Sequence, residues 1–453
     1  MLHRRFFLKS ALAVAALPML GLAGCDGESK TVTGDPVPIP ASASVLRFPL
    51  DHYAHLGAPT EWWWHVGTLN AGNRIFGFEI CASAYADNGY AFTQVMLADI
   101  SKNRHYQRTT LFFPPLMFNP GTWAESDVNK NWGVKLGDAN NYLSSIELID
   151  SGSGYTSEPI VSIIGGGGVS AVAKAVIDTK GSVAAILLLS PGSGFTSEPT
   201  VIISGGGGVG ALARACYSYV SMQAPLNDPT QNMVVKALLI DETTRDEVDF
   251  DLTFSQQGSP FIVWGTGETK AGSGASPLQE NNYYYSLTRL QASGSITVGG
   301  EPLEVTGVTW MDHEYGAFGS AAHPVKWILQ DMQLDNGICI SNYSVGDTTQ
   351  LALNVTTQGK ATVQRPDGTT YFESSTITPI GRTWISPASG KTFFMQLRVE
   401  IPSFGAVFTV TSLMDAQEFP FKGGSPVYEG VARTDGVFEG RSVAGTAWSE
   451  QAL

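Results

Sequence analysis

The sequence predicts an all-β protein built from antiparallel barrels or sandwiches. From about Val45 to the end, short apolar runs alternate with turn residues, and no long stretch shows the 3.6-residue periodicity of a helix. The 453 residues include 50 Gly and 24 Pro, as expected for many short strands joined by tight turns. At roughly 100–200 residues per domain, this length predicts two or three domains.

The apolar runs place strands along the whole body of the chain. Asn88-Gly89 and Gly299-Gly300 each separate two such runs, which is the strongest short-range signal for a β-hairpin. Asp335-Asn336-Gly337 marks a further turn. The predicted strands are 74–84, 91–100, 233–240, 247–255, 283–291, 294–298, 327–334, 338–343, 351–356, 393–399 and 408–414.

Composition and charge exclude some classes of function. The chain has 41 Asp and Glu against 27 Lys and Arg, a formal net charge of −14. Because proteins bind nucleic-acid phosphates through basic faces, no nucleic-acid partner is expected. Hydrophobic residues make up 43% of the chain and aromatic residues 10%, which supplies a large core and excludes intrinsic disorder.

The first 24 residues are predicted to be a signal peptide. Arg4-Arg5 followed by Phe6-Phe7-Leu8-Lys9 resembles the twin-arginine export motif, and the apolar stretch that follows is too short for a spanning helix. Leu22-Ala23-Gly24-Cys25 resembles a bacterial lipobox, so Cys25 is the predicted lipidation site. Residues 25–44 are polar and Pro-rich, which is typical of a flexible tether.

These signals predict an exported protein that is lipid-anchored in the cell envelope, with the lipid as its only hold on the membrane. Asp26 after the lipidated Cys resembles a signal for retention at the periplasmic face of the inner membrane. The other cysteines are Cys81, Cys216 and Cys339, without a CxxC motif or a Cys/His cluster. No structural zinc site is therefore predicted.

One segment is an internal repeat. Aligning 152–177 with 192–217 gives 17 identities in 26 positions, including the Gly runs 165–168 and 205–208. The Gly runs are interpreted as turns, because no Gly-Lys-Ser/Thr of a phosphate loop follows them. The segment 139–216 is predicted to be a two-repeat β module inserted in the first barrel.

Two strings concentrate the residues suited to chemistry: Glu61-Trp62-Trp63-Trp64-His65 and Trp310-Met311-Asp312-His313-Glu314-Tyr315. Side chains alternate between the two faces of a strand, so Trp62 and Trp64 share a face opposite to Glu61, Trp63 and His65. In the second string one face carries Trp310, Asp312 and Glu314. If both carboxyls are buried beside aromatic rings, desolvation and mutual repulsion raise at least one pKa, as a general acid requires.

Several short motifs follow one another in a set order outside the repeat. They are Phe48-Pro49-Leu50-Asp51 with His55, Glu61-Trp62-Trp63-Trp64, Tyr284-Tyr285-Ser286, Trp310-Met311-Asp312-His313-Glu314-Tyr315-Gly316, Tyr428-Glu429-Gly430 and Gly440-Arg441. As an ordered set they resemble the family of carotenoid 1,2-hydratase (hydroxyneurosporene synthase) and AttH-like proteins, which usually have Tyr at the position of Trp64. The resemblance implies two consecutive lipocalin-like antiparallel β-barrels, at 45–318 and 319–453.

The same resemblance implies a cofactor-free hydratase, a hydro-lyase that adds water to a C=C bond of an apolar, isoprenoid-like substrate in a cleft between the barrels. Asp312 matches the aspartate of the family's Trp-x-Asp-His motif and is the expected general acid. The aromatic faces would stabilise a carbocation by cation–π attraction, and a second polar group would deliver or deprotonate the water. The expected catalytic residues are Asp312, His313, Glu314 and His65, and the expected substrate-binding residues are Glu61, Trp62, Trp64, Tyr285 and Trp310.

Other interpretations remain open from the sequence. The Trp run is also typical of aromatics that close the bottom of a barrel, and Asp312 with His313 is also typical of a buried structural pair. His52 and His55 suggest a metal, but no third ligand lies nearby in the sequence, so no metal is expected. An alternative function is a non-catalytic binding protein for a hydrophobic small molecule at the membrane surface. A surface-display role of the Gly-rich repeats is a third.

Overall fold

The computed structural model describes residues 35–86, 90–112, 132–136, 142–143, 145–225, 227–318, 325–346, 351–419 and 426–453. The predicted signal peptide, Cys25 and the Asn88-Gly89 turn lie outside these ranges. Within them, no helix combines the length and the apolar character needed to cross a bilayer.

The described chain is almost entirely β-structure. The strands before the second barrel are β1 (Thr60–Ala71), β2 (Arg74–Tyr85), β3 (Tyr90–Asp99), β4 (Arg104–Phe112), β5 (Trp132–Leu136), β6 (Ser145–Ser153), β7 (Ile160–Ile164), β8 (Val169–Ile177), β9 (Val183–Ser193), β10 (Thr200–Ser204), β11 (Val209–Cys216), β12 (Tyr219–Ala224), β13 (Met233–Ile240), β14 (Glu247–Gln256), β15 (Phe261–Ile262), β16 (Glu268–Lys270), β17 (Asn281–Val298) and β18 (Glu301–Gly316). The later strands are β19 (Trp327–Leu334), β20 (Cys339–Val345), β21 (Thr357–Gln364), β22 (Thr370–Pro379), β23 (Thr383–Ile385), β24 (Thr392–Phe394), β25 (Gln396–Ile401), β26 (Ala406–Ser412), β27 (Glu418–Phe419), β28 (Val427–Phe438) and β29 (Arg441–Ala452). The helical pieces are α1 (Pro277–Glu280) and the 3-10 turns Ala41–Ala43, Leu50–His52, Val263–Gly265 and Pro402–Phe404.

The first large sheet is an antiparallel half-barrel. Its strands run in the order β4-β3-β2-β1-β18-β17-β14-β13-β12-β5, with β15 and β16 also paired to β17. The sheet curls so that β12 and β13 pack against β2, β3 and β4, enclosing an apolar core. Among the described residues β4 and β5 do not pair, so the sheet is curled without being closed.

The second sheet closes into an eight-stranded barrel. Its strands follow the order β26-β25-β22-β21-β20-β19-β29-β28, and β26 pairs back with β28 to complete the ring. Its interior is filled by aliphatic and phenylalanine side chains such as Ile340, Val399 and Phe408. The fold class expected from the sequence, two consecutive antiparallel barrels, is thus confirmed, with the first one open.

One tight turn holds β17 and β18 in register. Gly299 and Gly300 have φ values of 59° and 81° and form the two-residue turn between β17 and β18, with Val298 opposite Glu301. Both left-handed values favour Gly, and this is the hairpin geometry whose twist matches the strands. The hairpin expected at these two glycines is confirmed.

One predicted strand is wrong. Residues 351–356 form a turn in which the Val355 amide donates to the Ala352 carbonyl and Asn354 adopts φ 61°. Leu353 and Val355 remain about half exposed, so the apolar run that suggested a strand is not buried against the sheet. In addition, the predicted strand 393–399 is divided between β24 and β25, which pair with different partners.

The two copies of the repeat fold into one intertwined module between β5 and β12, which pair directly with each other. Strand β6 pairs with β11, β7 with β10 and β8 with β9, so every ribbon contains one strand from each copy. Ser162 lies opposite Ile202, its own equivalent 40 residues later, which places a pseudo-two-fold axis at this pair. The two copies therefore form a single folding unit.

The Gly runs of the module are packing surfaces for aromatic rings. A Cβ on Gly208 would lie 2.4 Å from the ring of Tyr155, and one on Gly168 would lie 2.4 Å from the ring of Phe195. Both rings are buried, and each belongs to the other copy of the repeat. Only a residue without a side chain fits under the ring, so the glycines are explained by packing.

We predict that Gly208→Ala and Gly168→Ala each destabilise the module by about 1–3 kcal/mol, the usual cost of overpacking a core. Thermal unfolding and limited proteolysis of the purified chain measure the effect. The exposed Ser204 at the end of β10 provides the control Ser204→Ala, which should leave both unchanged. Equal stability of Gly208→Ala and the wild type would contradict the packing explanation.

Candidate functional site

The site is built on the central pair of strands, β1 and β18, which carry both strings singled out in the sequence. They pair antiparallel in the middle of the first sheet. The opposed residues are Trp62 with Glu314, Trp63 with His313, Trp64 with Asp312 and Val66 with Trp310. Directly opposed residues of a strand pair project to the same face, so this register decides which candidates can meet.

The register divides the sequence-predicted residues into two groups. Trp64 and Trp310 pack in an apolar cluster shared with the second barrel, together with Trp448 and Val431. Trp63 and Tyr285 instead belong to the core of the first half-barrel. The group that faces the second barrel is Trp62, Trp64, Trp310, Asp312 and Glu314, and the group that faces the interior of the half-barrel is Glu61, His65, Tyr285 and His313.

Asp312 lies between the two barrels and is 5% exposed. Its Oδ1 accepts hydrogen bonds from the Ser286 hydroxyl at 2.6 Å and from the Trp310 indole N–H at 2.8 Å. Burial raises the pKa of Asp312 to about 6, although these two donors favour the ionised form. The carboxyl group can therefore both give and take a proton near neutral pH.

Asp312 is one of six acids, five of them buried and Glu450 half-buried, that we call the inter-barrel carboxyl cluster. The cluster consists of Glu79, Asp312, Glu314, Asp331, Glu429 and Glu450. Burial, reinforced by the charge of Asp312, raises the pKa of Glu314 to about 8 and the pKa of Glu450 to about 8. Burial and neighbouring carboxylates hold the pKa values of the other three well above their usual range.

Indole groups line this cluster and hold several of its acids in place. The Trp448 N–H donates to Glu429 at 2.9 Å, and the Trp327 N–H donates to Glu450 at 3.0 Å, as Trp310 does to Asp312. The Trp64 indole lies next to the buried Glu79 carboxyl, and Ser341 lies next to Asp331.

A small cavity lies beside the cluster at the junction of the barrels. It has a volume of about 10 Å³ and is bordered by Trp310, Asp331 and Trp448 among others. This is about the space that one water molecule needs. Gly77 brings the barrels close together here, since a Cβ on it would lie 2.5 Å from Val431.

The other group of candidates forms a polar network inside the half-barrel. Tyr285 Oη lies 2.5 Å from His52 Nδ1 and 3.2 Å from His313 Nδ1. Burial lowers the pKa of His313 and of His65, the latter to about 3. These side chains face away from Asp312, so they support the strand that carries it and lie outside its immediate surroundings.

Sequence reasoning missed the acids of the partner barrel and Tyr284. Glu429 lies within the motif Tyr428-Glu429-Gly430 but received no role, Asp331 stood in a run interpreted only as a strand, and Glu450 lay outside every predicted strand. The one usable signal was alternation on β17: Ser286 lies opposite Asp312 and Tyr284 opposite Glu314, whereas the prediction favoured Tyr285.

Comparison with known protein families bears on about half of the chain. The model of the AttH-like family matches residues 228–450, which include β18, Asp312 and nearly all of the second barrel. This part of the chain is therefore similar to AttH-like proteins. No curated protein sequence matches the chain significantly.

Two solved structures share the double-barrel fold of this chain. A protein described as AttH from Nitrosomonas europaea has a TM-score of 0.56 and 17% identity, covering 91% of this chain and 98% of its own. Kievitone hydratase from Nectria haematococca has a TM-score of 0.55 and 14% identity, covering 93% of this chain and 98% of its own. The resemblance to AttH-like proteins expected from the sequence is confirmed.

Proposed function

We propose that the chain is a cofactor-free hydratase that adds water to a C=C bond of an apolar, isoprenoid-like substrate. One observation carries the proposal: Asp312 is a carboxyl buried between indole rings whose pKa is raised to about 6. A general acid works best when its pKa lies near the working pH. The match of residues 228–450 to AttH-like proteins and the fold shared with kievitone hydratase support this class of reaction.

The proposed reaction balances without a cofactor. Protonated Asp312 gives its proton to the less substituted carbon of the alkene, and a tertiary carbocation forms at the other carbon. The oxygen of a water molecule then bonds to that carbon, and the excess proton of the water returns to the Asp312 carboxylate. The product is an alcohol, and the acid is regenerated for the next cycle.

The residues on the face of Asp312 supply the remaining functions in this proposal. The indole faces of Trp64 and Trp310 stabilise the cation by roughly 0.5–2 kcal/mol each. Glu314 stays protonated near neutral pH because burial raises its pKa to about 8, so it places no second negative charge next to Asp312. His65, His313, Glu61 and Tyr285 hold the strand from behind.

The substrate is proposed to approach along an aromatic cluster next to Trp64. Trp62 stacks on Tyr85 with ring centroids 6.3 Å apart and meets Phe318 edge-on at 5.0 Å. Phe92 completes this cluster, and Tyr85 is only partly buried. Since the cavity beside Trp310 has the size of a water molecule, it suits the second reactant rather than the alkene.

Turnover in ¹⁸O-labelled water tests the proposal. The purified chain is incubated with a panel of short isoprenoid alkenes, and the products are analysed by mass spectrometry. We expect an alcohol that carries one ¹⁸O atom. A bound alkene that is recovered unchanged across the panel would instead favour the alternative, a non-catalytic binding protein for hydrophobic ligands.

We also propose that the chain is exported and held at the membrane by a lipid on Cys25, as the lipobox-like Leu22-Ala23-Gly24-Cys25 predicts. Cys25→Ala should move the protein from the membrane fraction to the released fraction, as measured by fractionation and immunoblotting. Cys81→Ala, which alters a buried cysteine, is the control and should stay with the membrane. Membrane retention of Cys25→Ala would contradict the lipid anchor.

A further inference from the structure

A second cluster of ligating side chains lies on the opposite face of β1 and β18 from Asp312. His52 and His55 are three residues apart, and no third metal ligand lies near them in the sequence. The fold brings His55, Glu61 and His313 together, with one ligand atom of each within 4.8 Å of the others. Across the described ranges, this is the one group of three such side chains in that proximity.

The distances within this group are close to those of a coordination shell. Glu61 Oε1 lies 2.8 Å from His55 Nδ1 and 3.1 Å from His313 Nε2. Ligands bound to zinc at about 2.0–2.2 Å in a tetrahedron are separated by about 3.3 Å. The Glu61 oxygen therefore needs to move away from each of the two nitrogens by only a few tenths of an ångström to admit an ion.

The other nitrogen of each imidazole also has a partner. His55 Nε2 lies 3.4 Å from Asp51 Oδ1, and His313 Nδ1 lies 3.2 Å from Tyr285 Oη. Metal-ligating histidines almost always bond a carboxylate, a carbonyl or a water through the nitrogen that does not face the metal. Such partners fix the tautomer that leaves the ligating nitrogen free.

Aromatic rings hold both imidazoles in orientation. Tyr315 stacks on His55 with ring centroids 3.5 Å apart, and Trp63 stacks on His313 at 4.5 Å. The His55 side chain is 16% exposed, whereas Glu61 and His313 are 3% and 0% exposed. An ion can thus reach an otherwise buried, rigid ligand set from the side of His55.

We propose that His55 Nδ1, Glu61 Oε1 and His313 Nε2 bind one divalent transition metal ion of the zinc type. Two imidazoles and one carboxylate form a donor set that suits such ions better than Mg²⁺ or Ca²⁺, which prefer all-oxygen sites. Through His55, the ion fastens the segment that follows the turn Leu50–His52 to β1 and β18. It lies on the opposite side of the strand that bears Asp312. The inference is independent of the hydratase proposal, since it concerns the other face of that strand.

Zinc binding to the untagged full chain tests the inference. The protein is stripped with a chelator, titrated with Zn²⁺ by calorimetry, and its metal content is measured after dialysis. We expect one ion per chain and a higher melting temperature with Zn²⁺. Co²⁺ in the same site should give ligand-field absorption typical of a nitrogen and oxygen environment.

Variants separate a metal site from a hydrogen-bond network. His55→Asn places an amide N–H where Nδ1 lies, so it keeps the bond to Glu61 but should abolish stoichiometric Zn²⁺ binding. Asp51→Asn should weaken binding by about 10–100-fold, as loss of an outer-shell partner usually does. His105→Gln changes a half-buried histidine next to Met96 and outside the cluster, and this variant should bind Zn²⁺ like the wild type.

Two results would overturn the inference. One is a stripped wild-type protein that binds no Zn²⁺ and shows no change in melting temperature. The other is stoichiometric binding that His55→Asn leaves intact, which would place the ion elsewhere. Asp312→Asn should abolish hydration but leave zinc binding unchanged. Each of the two proposals can therefore be contradicted without affecting the other.

Discussion

Asp312→Asn is expected to abolish hydration while the chain remains folded. Asn keeps the shape of the side chain and can accept the hydrogen bonds from Ser286 and Trp310, but it has no proton to give to an alkene. Loss of a general acid typically lowers the rate by 10²–10⁴-fold. The rate of ¹⁸O-alcohol formation measures the loss, and circular dichroism shows that the fold is kept.

A control on the same strand isolates the role of Asp312. Glu304 lies on β18 but is exposed, so Glu304→Gln should leave the rate unchanged. Trp310→Phe keeps the aromatic wall and removes the indole donor to Asp312, which should raise the pKa of that carboxyl and shift the alkaline limb of the rate profile, where the acid loses its proton, to higher pH. Wild-type turnover by Asp312→Asn would eliminate Asp312 as the acid.

Much of the fold follows from local patterns in the sequence. The runs that became β13 and β19 have the predicted bounds, because alternating burial and flanking turn residues specify a strand locally. The Gly299-Gly300 hairpin is equally local. The strand predicted at 351–356 was wrong because the prediction used local composition alone. The apolar residues there have the composition of a strand, but no neighbouring strand covers them.

The site could be predicted only in part, because its other half comes from far along the chain. Alternation correctly placed Asp312 with Trp310, since the period of two needs no tertiary information. It could not show that Asp331, Glu429 and Glu450 face the same space, since this depends on how two barrels dock. Tyr285 was expected at the site instead of Tyr284 because the register between β17 and β18 was not known. That register puts Tyr284 on the same face as Glu314 and Tyr285 on the same face as His313.

The inter-barrel carboxyl cluster should make the protein less stable as the pH rises. Glu450 ionises with an ordinary pKa of 4.5 when unfolded, but burial and the charge of Asp312 raise it to about 8 in the folded chain. The folded state therefore binds the proton more tightly, and stability is lost between about pH 4.5 and pH 8. The difference between 4.5 and about 8 corresponds to about 5 kcal/mol, of which about 4 kcal/mol is lost by pH 8.

Glu450→Gln should remove this penalty without changing the size of the side chain. The amide oxygen of Gln can still accept the hydrogen bond from Trp327, and it carries no charge at any pH. We expect the variant to unfold with a free energy up to about 4 kcal/mol above the wild type at pH 8 and close to it at pH 5. Urea unfolding at both pH values measures the difference.

Comparison at matched pH is needed because other groups act in the opposite direction. Burial lowers the pKa of His65 to about 3 and that of His105 to about 4, so those residues reduce stability as the pH falls. They are present in both proteins and cancel in the difference. If Glu450→Gln and the wild type were equally stable at pH 8, the carboxyl group would be ionised without cost, and the barrel junction would have to admit bulk water. In that case Asp312 would also lose the dry surroundings that raise its pKa, and the basis for acid catalysis at this site would be removed.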